Sequence, residues 1–274
     1  MRIEWPEGMS AAASFTFDVD AESLLLATDP ANAQRPGALS QAIYGPRVGV
    51  PLLLEVLARH GVRGSFFIPG VNVELYPQTV EAIVEAGHEI GIHGYTHTSP
   101  ARLTREAESE ELDKAFQLLT RAGGSVTGYR SPSWDVSAHT LDLLEAKGLA
   151  YSSQFMDDFR PYRHRGRRLI ELPVQWILDD WPHFAYAGDS ARTIRSTAEV
   201  ETIWKEEFDG IRAHGGSYIL TLHPEVSGRP ARVALLDRMI EYIRGSDDVW
   251  IATCAEIAAH ADRQLPRQVA GGDQ

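Results

Sequence analysis

Short apolar runs separated by amphipathic stretches recur along the whole chain, and this alternation constrains the fold more than any other feature. Eight runs have strand character, at 13–17, 64–68, 89–93, 126–129, 149–153, 169–174, 218–222 and 249–253. Between them the apolar period lengthens from two to three or four. In 104–122, Leu112, Ala115, Phe116 and Leu119 fall at i, i+3, i+4 and i+7, so one stripe faces a sheet. Thr104 is placed to cap that helix, Glu106 and Glu108 complement its dipole, and Gly123 ends it. Similar punctuation predicts helices from Pro51 to Gly61 and from a Ser137 cap to Gly148, and Leu235, Leu236, Met239, Ile240 and Ile243 make a further stripe. Strands alternating with helices build a largely parallel sheet with helices outside. The 274 residues, 43% hydrophobic, suffice for one barrel, and no low-complexity linker divides them. The expectation is a single-domain α/β fold, a distorted (β/α)7–8 barrel over residues 1–263, with 264–274 a frayed tail.

Two stretches interrupt the alternation. Residues 22–46 form a long connection punctuated by Pro and Gly after the first strand, expected to overhang the active face. Residues 175–190 gather Trp176, Trp181, Phe184 and Tyr186 around Asp179, Asp180 and His183, which suits a pocket wall or a subunit contact. Composition excludes some partners. A net charge of −12 repels nucleic acid, and the single cysteine, Cys254, cannot form an internal disulfide. Glu4, Trp5, Pro6 and Glu7 stand where a signal peptide needs a basic start, and no run reaches roughly 18 apolar residues. A cytoplasmic protein with no membrane span is expected.

Four constellations carry chemistry. Asp18, Asp20 and Glu22 alternate as the chain leaves the first strand, so an extended backbone puts three carboxylates on one face. They repel each other unless a cation neutralises them. His93 and His97 follow the third strand, and a four-residue spacing brings two imidazoles together on one side of a helical turn. The spacing from His88 does not make the His-Glu-x-x-His pattern of a metalloprotease, and His88 reads as structural. Arg130, past the fourth strand, can fork onto a carboxylate. His223 ends the apolar strand 218–222 just before Pro224. Each lies at the carboxyl end of a different strand, where barrel active sites assemble. Together they form an Asp/His/His site for one divalent metal ion, flanked by a spare carboxylate, an arginine and a histidine. Zinc suits this set, as do iron, cobalt, nickel and manganese. Non-haem iron oxygenases use the same donors, a distant alternative that oxygen consumption would reveal.

In their order, Thr16-Phe17-Asp18-Val19-Asp20, His93-Gly94-Tyr95-Thr96-His97, Arg130-Ser131-Pro132-Ser133-Trp134, Asp179-Asp180-Trp181 and Leu220-Thr221-Leu222-His223-Pro224 resemble the motifs of the polysaccharide deacetylase family. The resemblance covers most of the chain. It implies a metal-dependent hydrolase of non-peptide carbon–nitrogen amide bonds. Asp20, His93 and His97 would hold the metal, Asp18 would be the general base, Arg130 its orienting partner and His223 the general acid. Val19 separates Asp18 from Asp20, where the commonest pattern has adjacent aspartates. That variant resembles the intracellular branch, which includes peptidoglycan-deacetylase-like proteins and hydrolases of cyclic imides and ureides. The implied substrate is an N-acetylated sugar, or alternatively a small cyclic amide, and the implied assembly is a homotetramer.

Overall fold

The computed structural model describes residues 3–186 and 193–266. All eight expected strands are present, and a ninth joins them: β1 (Ala11–Asp18), β2 (Ser65–Ile68), β3 (Glu89–Ile92), β4 (Gly128–Tyr129), β5 (Tyr151–Ser152), β6 (Tyr162–Arg163), β7 (Ile170–Glu171), β8 (Ser217–Leu222) and β9 (Val249–Ile251). They form one mixed sheet in the order β6-β7-β5-β4-β3-β2-β1-β8, with β9 on β1. The sheet curls into an incomplete barrel. Every pairing is parallel except the short hairpin of β6 with β7. One edge of β1 pairs with β8 along most of its length, while the other is shared, β9 beside Ala11–Ala13 and β2 beside Thr16–Asp18. Between the two ends of the sheet, a parallel bridge from Asp179 to Thr221 on β8 spans the gap. This bridge brings the Asp179-Asp180 pair to the mouth.

β1, β2 and β8 are buried throughout, as strands covered on both faces must be. One core lies between sheet and outer helices and includes Phe15, Phe66, Leu57 and Trp204. A second, with Phe67, Tyr151, Leu172, Ile219 and Ile257, fills the barrel towards the final helix, Cys254–Gln264. That helix docks at the amino ends of the strands. Cys254 N donates to Ser65 Oγ at 2.8 Å and Ala255 N to Glu89 Oε2 at 3.0 Å. The bottom is thereby closed and the carboxyl ends are left for chemistry.

The stretch 22–46 is helical, contrary to the expected irregular loop. It runs through Ser23–Thr28, a 3-10 turn at Pro30–Gln34, Pro36–Tyr44 and a π turn at Gly45–Gly49, then straight into the helix Val50–His60. Pro30 and Pro36 stand at first helical positions, where their fixed φ starts a helix rather than breaking one. Gly49 is required by contact, since a Cβ there would lie 2.2 Å from Pro224 O. The expected Ser137 cap is also corrected. The helix begins at Thr140, and the Ser137 hydroxyl donates to Glu108 instead. Thr104 does cap Arg105–Arg121, accepting from Ala107 N. At the chain end, Leu265 is buried beyond the last helical residue, Gln264, and 267–274 of the expected tail lie outside the described residues, as do 187–190 of the aromatic segment. Among the described residues no helix is long and apolar enough to cross a membrane.

Candidate metal centre and substrate cleft

β1 delivers Asp18 as its last residue and Asp20 two positions later, both buried. The third carboxylate does not join them. Ala21 takes a left-handed backbone, φ 48°, which turns the chain so that the Tyr76 hydroxyl donates to Glu22 at 2.8 and 2.6 Å. The bend is fixed by Asn72 Nδ2, which donates to Val19 O at 2.7 Å and Asp20 O at 2.9 Å.

The histidines meet by a different route from the helical turn expected of their spacing. After β3 the chain passes through Gly94 at φ 68° and His97 at φ 65°, a loop that folds back on itself. His93 Nδ1 lies 2.8 Å from Arg130 O, and that acceptor fixes Nδ1 as the protonated nitrogen, leaving Nε2 to face the centre. His93 Nε2 is 3.4 Å from Asp20 Oδ1, and His97 Nε2 is 3.3 Å from Asp20 Oδ2. Three donors bound tetrahedrally at about 2.0–2.2 Å stand roughly 3.3–3.6 Å apart, so these separations suit a shared cation. Asp20 Oδ1 is buried with no hydrogen-bond partner, the atom a cation would satisfy. Burial opposes charge on Asp20, but His97 and His93 outweigh it and hold the carboxyl well below its usual range. Burial likewise opposes charge on His93, yet Asp18 and Asp20 raise it. The pocket therefore favours positive charge, and its donor set fits a divalent metal.

Arg130 is fully buried, with its guanidinium 4.2 Å from the Phe67 ring centroid. Nη1 donates to Asp18 Oδ1 and to Thr16 Oγ1, both at 2.8 Å, while Nε and Nη2 donate to Ser153 O and Oγ. The expected fork is thus split between Asp18 and Ser153. This leaves Asp18 Oδ2 turned to the centre, 3.8 Å from His93 Nε2.

His223 is presented at the end of β8. Its Nδ1 lies 2.7 Å from Asp180 Oδ1, and its backbone N donates to Asp180 Oδ2 at 2.9 Å. Asp180 Oδ2 also accepts from the Ser227 hydroxyl. The Nε2 edge faces inward, 3.7 Å from Asp20 Oδ2. Burial pulls the imidazolium down, but Asp179, Asp180 and Asp20 hold it well above the ordinary histidine range. Asp179 itself is pushed up to about 7, chiefly by burial, with Asp180 adding to the rise against His223. His88 stays outside the site as expected, accepting from Gly64 N, and burial and Arg63 pull it down to about 4.

Above these groups opens a cavity of about 440 Å³ whose floor is Asp18, Asp20, His93, His97 and His223. Its wall is aromatic. Trp134 and Trp176 stack with centroids 4.3 Å apart, Trp181 sits edge-on to His223 at 5.1 Å, and Leu24 comes from the helical connection after β1. Phe184 is buried in the core against Trp204 and does not line the cleft.

The sequence profile described as polysaccharide deacetylase matches residues 44–152. A Mycobacterium smegmatis crystal structure assigned to the polysaccharide deacetylases is 40% identical, over 100% of this chain and 98% of that one, with a TM-score of 0.94. The chain belongs to the polysaccharide deacetylase family. The peptidoglycan deacetylase of Helicobacter pylori is 29% identical over 85% of this chain and 90% of its own length. An allantoinase crystal structure, 24% identical over 97% of this chain and 95% of that one, shares the fold with a TM-score of 0.85.

Membership in a family of deacetylases favours hydrolysis over the oxygenase alternative. Of the residues singled out in the sequence, Asp18, Asp20, His93, His97, Arg130 and His223 converge on this fold's mouth, and Glu22 does not. Two further residues make contacts around His223 that spacing did not reveal. Asp180 was legible as an acidic pair before Trp181, but its hydrogen bonds to His223 were not. Ser227 gave no signal, because a serine in a short helix looks like solvated surface.

Proposed function

We propose that the chain is a metal-dependent deacetylase that hydrolyses the amide of an N-acetylated sugar, with zinc as the ion its donors suit best. The observation that carries the reading is the buried Asp20 carboxylate: Oδ1 has no hydrogen-bond partner and lies 3.4 Å from His93 Nε2, and Oδ2 lies 3.3 Å from His97 Nε2, the spacing of ligands to one ion. Asp20, His93 and His97 would hold a divalent ion, which when bound supplies polarisation of the carbonyl and a water acidified from about 15.7 toward 7. Asp18, aimed by Arg130, takes the proton from the attacking water at its free oxygen. His223, protonated and braced by Asp180, holds its second proton at Nε2 and delivers it to the departing nitrogen, which would otherwise leave as an amine anion. The two products are acetate and a free amine. The wall of Trp134, Trp176 and Trp181 offers flat faces to a sugar ring and keeps bulk water from the floor.

The test pairs metal analysis with anaerobic acetate release from N-acetylated sugars, with a cyclic ureide as the competing substrate. Asp18→Asn is expected to keep its metal and lose about 10²–10⁴ in kcat. His93→Ala is expected to lose both. Full turnover by His93→Ala in metal-free buffer would overturn the scheme, and ring opening of the ureide without acetate release would replace the substrate.

A further inference from the structure

The loop carrying both histidines is gripped from two sides by groups outside the proposed ligand set. Its carbonyls accept from the start of the helix Gly70–Leu75, Gly70 N donating to Gly94 O at 2.9 Å and Val71 N to Tyr95 O at 3.0 Å. Its N–H groups are taken by one side chain. Glu111, on the helix Arg105–Arg121, accepts through Oε2 from Tyr95 N at 2.9 Å and Thr96 N at 2.8 Å, and through Oε1 from Thr96 Oγ1 at 2.9 Å. These contacts fall between the two left-handed turns at Gly94 and His97. A left-handed histidine persists only where its surroundings over-determine it. His93 has a second anchor in Arg130 O, whereas His97 is aimed by the backbone that Glu111 holds.

We propose that Glu111 is a positioning residue for the metal centre: it presets the loop so that His97 Nε2 meets Asp20 before any ion arrives, and so sets metal affinity without touching the metal. The inference rests on the metal-site reading above. Bonds to an ionised carboxylate are the strong class, and three of them converge on two adjacent residues. Without them, part of the metal's binding free energy must go into ordering the loop, and apparent affinity falls with the fraction of competent loop. Partners that orient ligands in this way are worth about 10- to 100-fold in metal affinity.

The experiment measures Zn2+ and Co2+ dissociation constants by competition with a chromogenic chelator, alongside the visible spectrum of the Co2+ form and thermal melting of the metal-free protein. Glu111→Gln keeps the shape but turns an NH2 towards donors. It is expected to bind Zn2+ about 10- to 100-fold more weakly, with an altered Co2+ spectrum, while kcat at saturating metal falls much less. Glu111→Asp should lie between it and the native protein. Thr96→Val, which removes one of the three contacts, should weaken binding by less than tenfold and decides the matter if Glu111→Gln does not fold. Folded Glu111→Gln, or Thr96→Val in its place, with native Zn2+ affinity and Co2+ spectrum overturns the proposal. A native protein that binds neither ion overturns the metal-site reading itself.

Discussion

Arg130→Met tests how Asp18, the proposed base, is held. The arginine is fully buried and makes four hydrogen bonds, to Asp18, Thr16 and twice to Ser153. Methionine occupies similar volume without charge or donors. Thr16 keeps a bond to Leu220 O and Ser153 keeps one to Leu172 O, both at 2.9 Å, so neither hydroxyl is orphaned. Asp18 is the group left stranded, 2% exposed, with His93 Nε2 at 3.8 Å as its nearest remaining cationic group. Removing one partner of a buried ion pair costs about 3–5 kcal/mol. With an unfolding entropy of about 2.1 cal/mol/K for each of the 274 residues, that is a drop in Tm of roughly 5–9 °C. The assay is thermal melting of the metal-free protein, with Asp18→Asn and the double variant beside it. Removing the stranded charge should recover much of the loss, a coupling of about 0.5–3 kcal/mol between neighbours. A Tm within about 1 °C of the native value for Arg130→Met, or strict additivity in the double variant, refutes the reasoning.

Two further outcomes are expected. Burial lowers His223 but Asp179 and Asp180 raise it, so kcat should fall along an alkaline limb as His223 loses its proton. Asp180→Asn removes one raising charge and should move this alkaline limb to lower pH; an unmoved limb in a pH–rate profile would exclude His223 as the acid. Trp176→Ala removes the exposed half of the stacked pair at the cleft wall, and the loss of about 0.5–1.5 kcal/mol of stacking should raise KM for a ring substrate about 2- to 13-fold. Steady-state kinetics showing a fall in kcat at constant KM would instead place Trp176 in the chemistry.

The sequence discloses strands better than it discloses paths between them. Short runs dominated by apolar residues, such as Phe15–Phe17 or Ile219–Leu222, read as strands in a chain of this period, and both lie on buried strands. β6 escaped because two residues, Tyr162 and Arg163, carry no period at all. The helix Thr197–Ala213 has a legible capping box, Ser196 with Glu199, outside the apolar stripes that were singled out. The connection 22–46 misleads for a specific reason: Pro and Gly signal breaks by composition, whereas Pro at a first turn and Gly at a close contact are helix-compatible by position. At the site, residue types and strand ends were legible, but hydrogen-bond partners distant in sequence, such as Asp180 for His223 and Glu111 for the histidine loop, depend on three-dimensional packing.

Backbone strain explains why two carboxylates, and not the three suggested by alternation, reach the floor. Ala21, His97, Ser133 and Trp134 are the left-handed non-glycine residues among the described residues, and all four lie in the loops that build the cleft. Ala21 has the largest electrostatic consequence. Had the extended path continued, Glu22 would have followed Asp18 and Asp20 inward and added a third negative charge to the same face. With Glu22 turned to Tyr76, the face of β1 at the floor carries Asp18 and Asp20 beside Arg130, one negative charge fewer than the extended path would place there. Amide hydrolysis develops negative charge on the carbonyl oxygen, and a further carboxylate on the floor would oppose that charge more than it would oppose the neutral amide. On the proposed reaction, the strain at one alanine would favour the transition state over the substrate, a reason for a chain to retain a conformation that its local sequence disfavours.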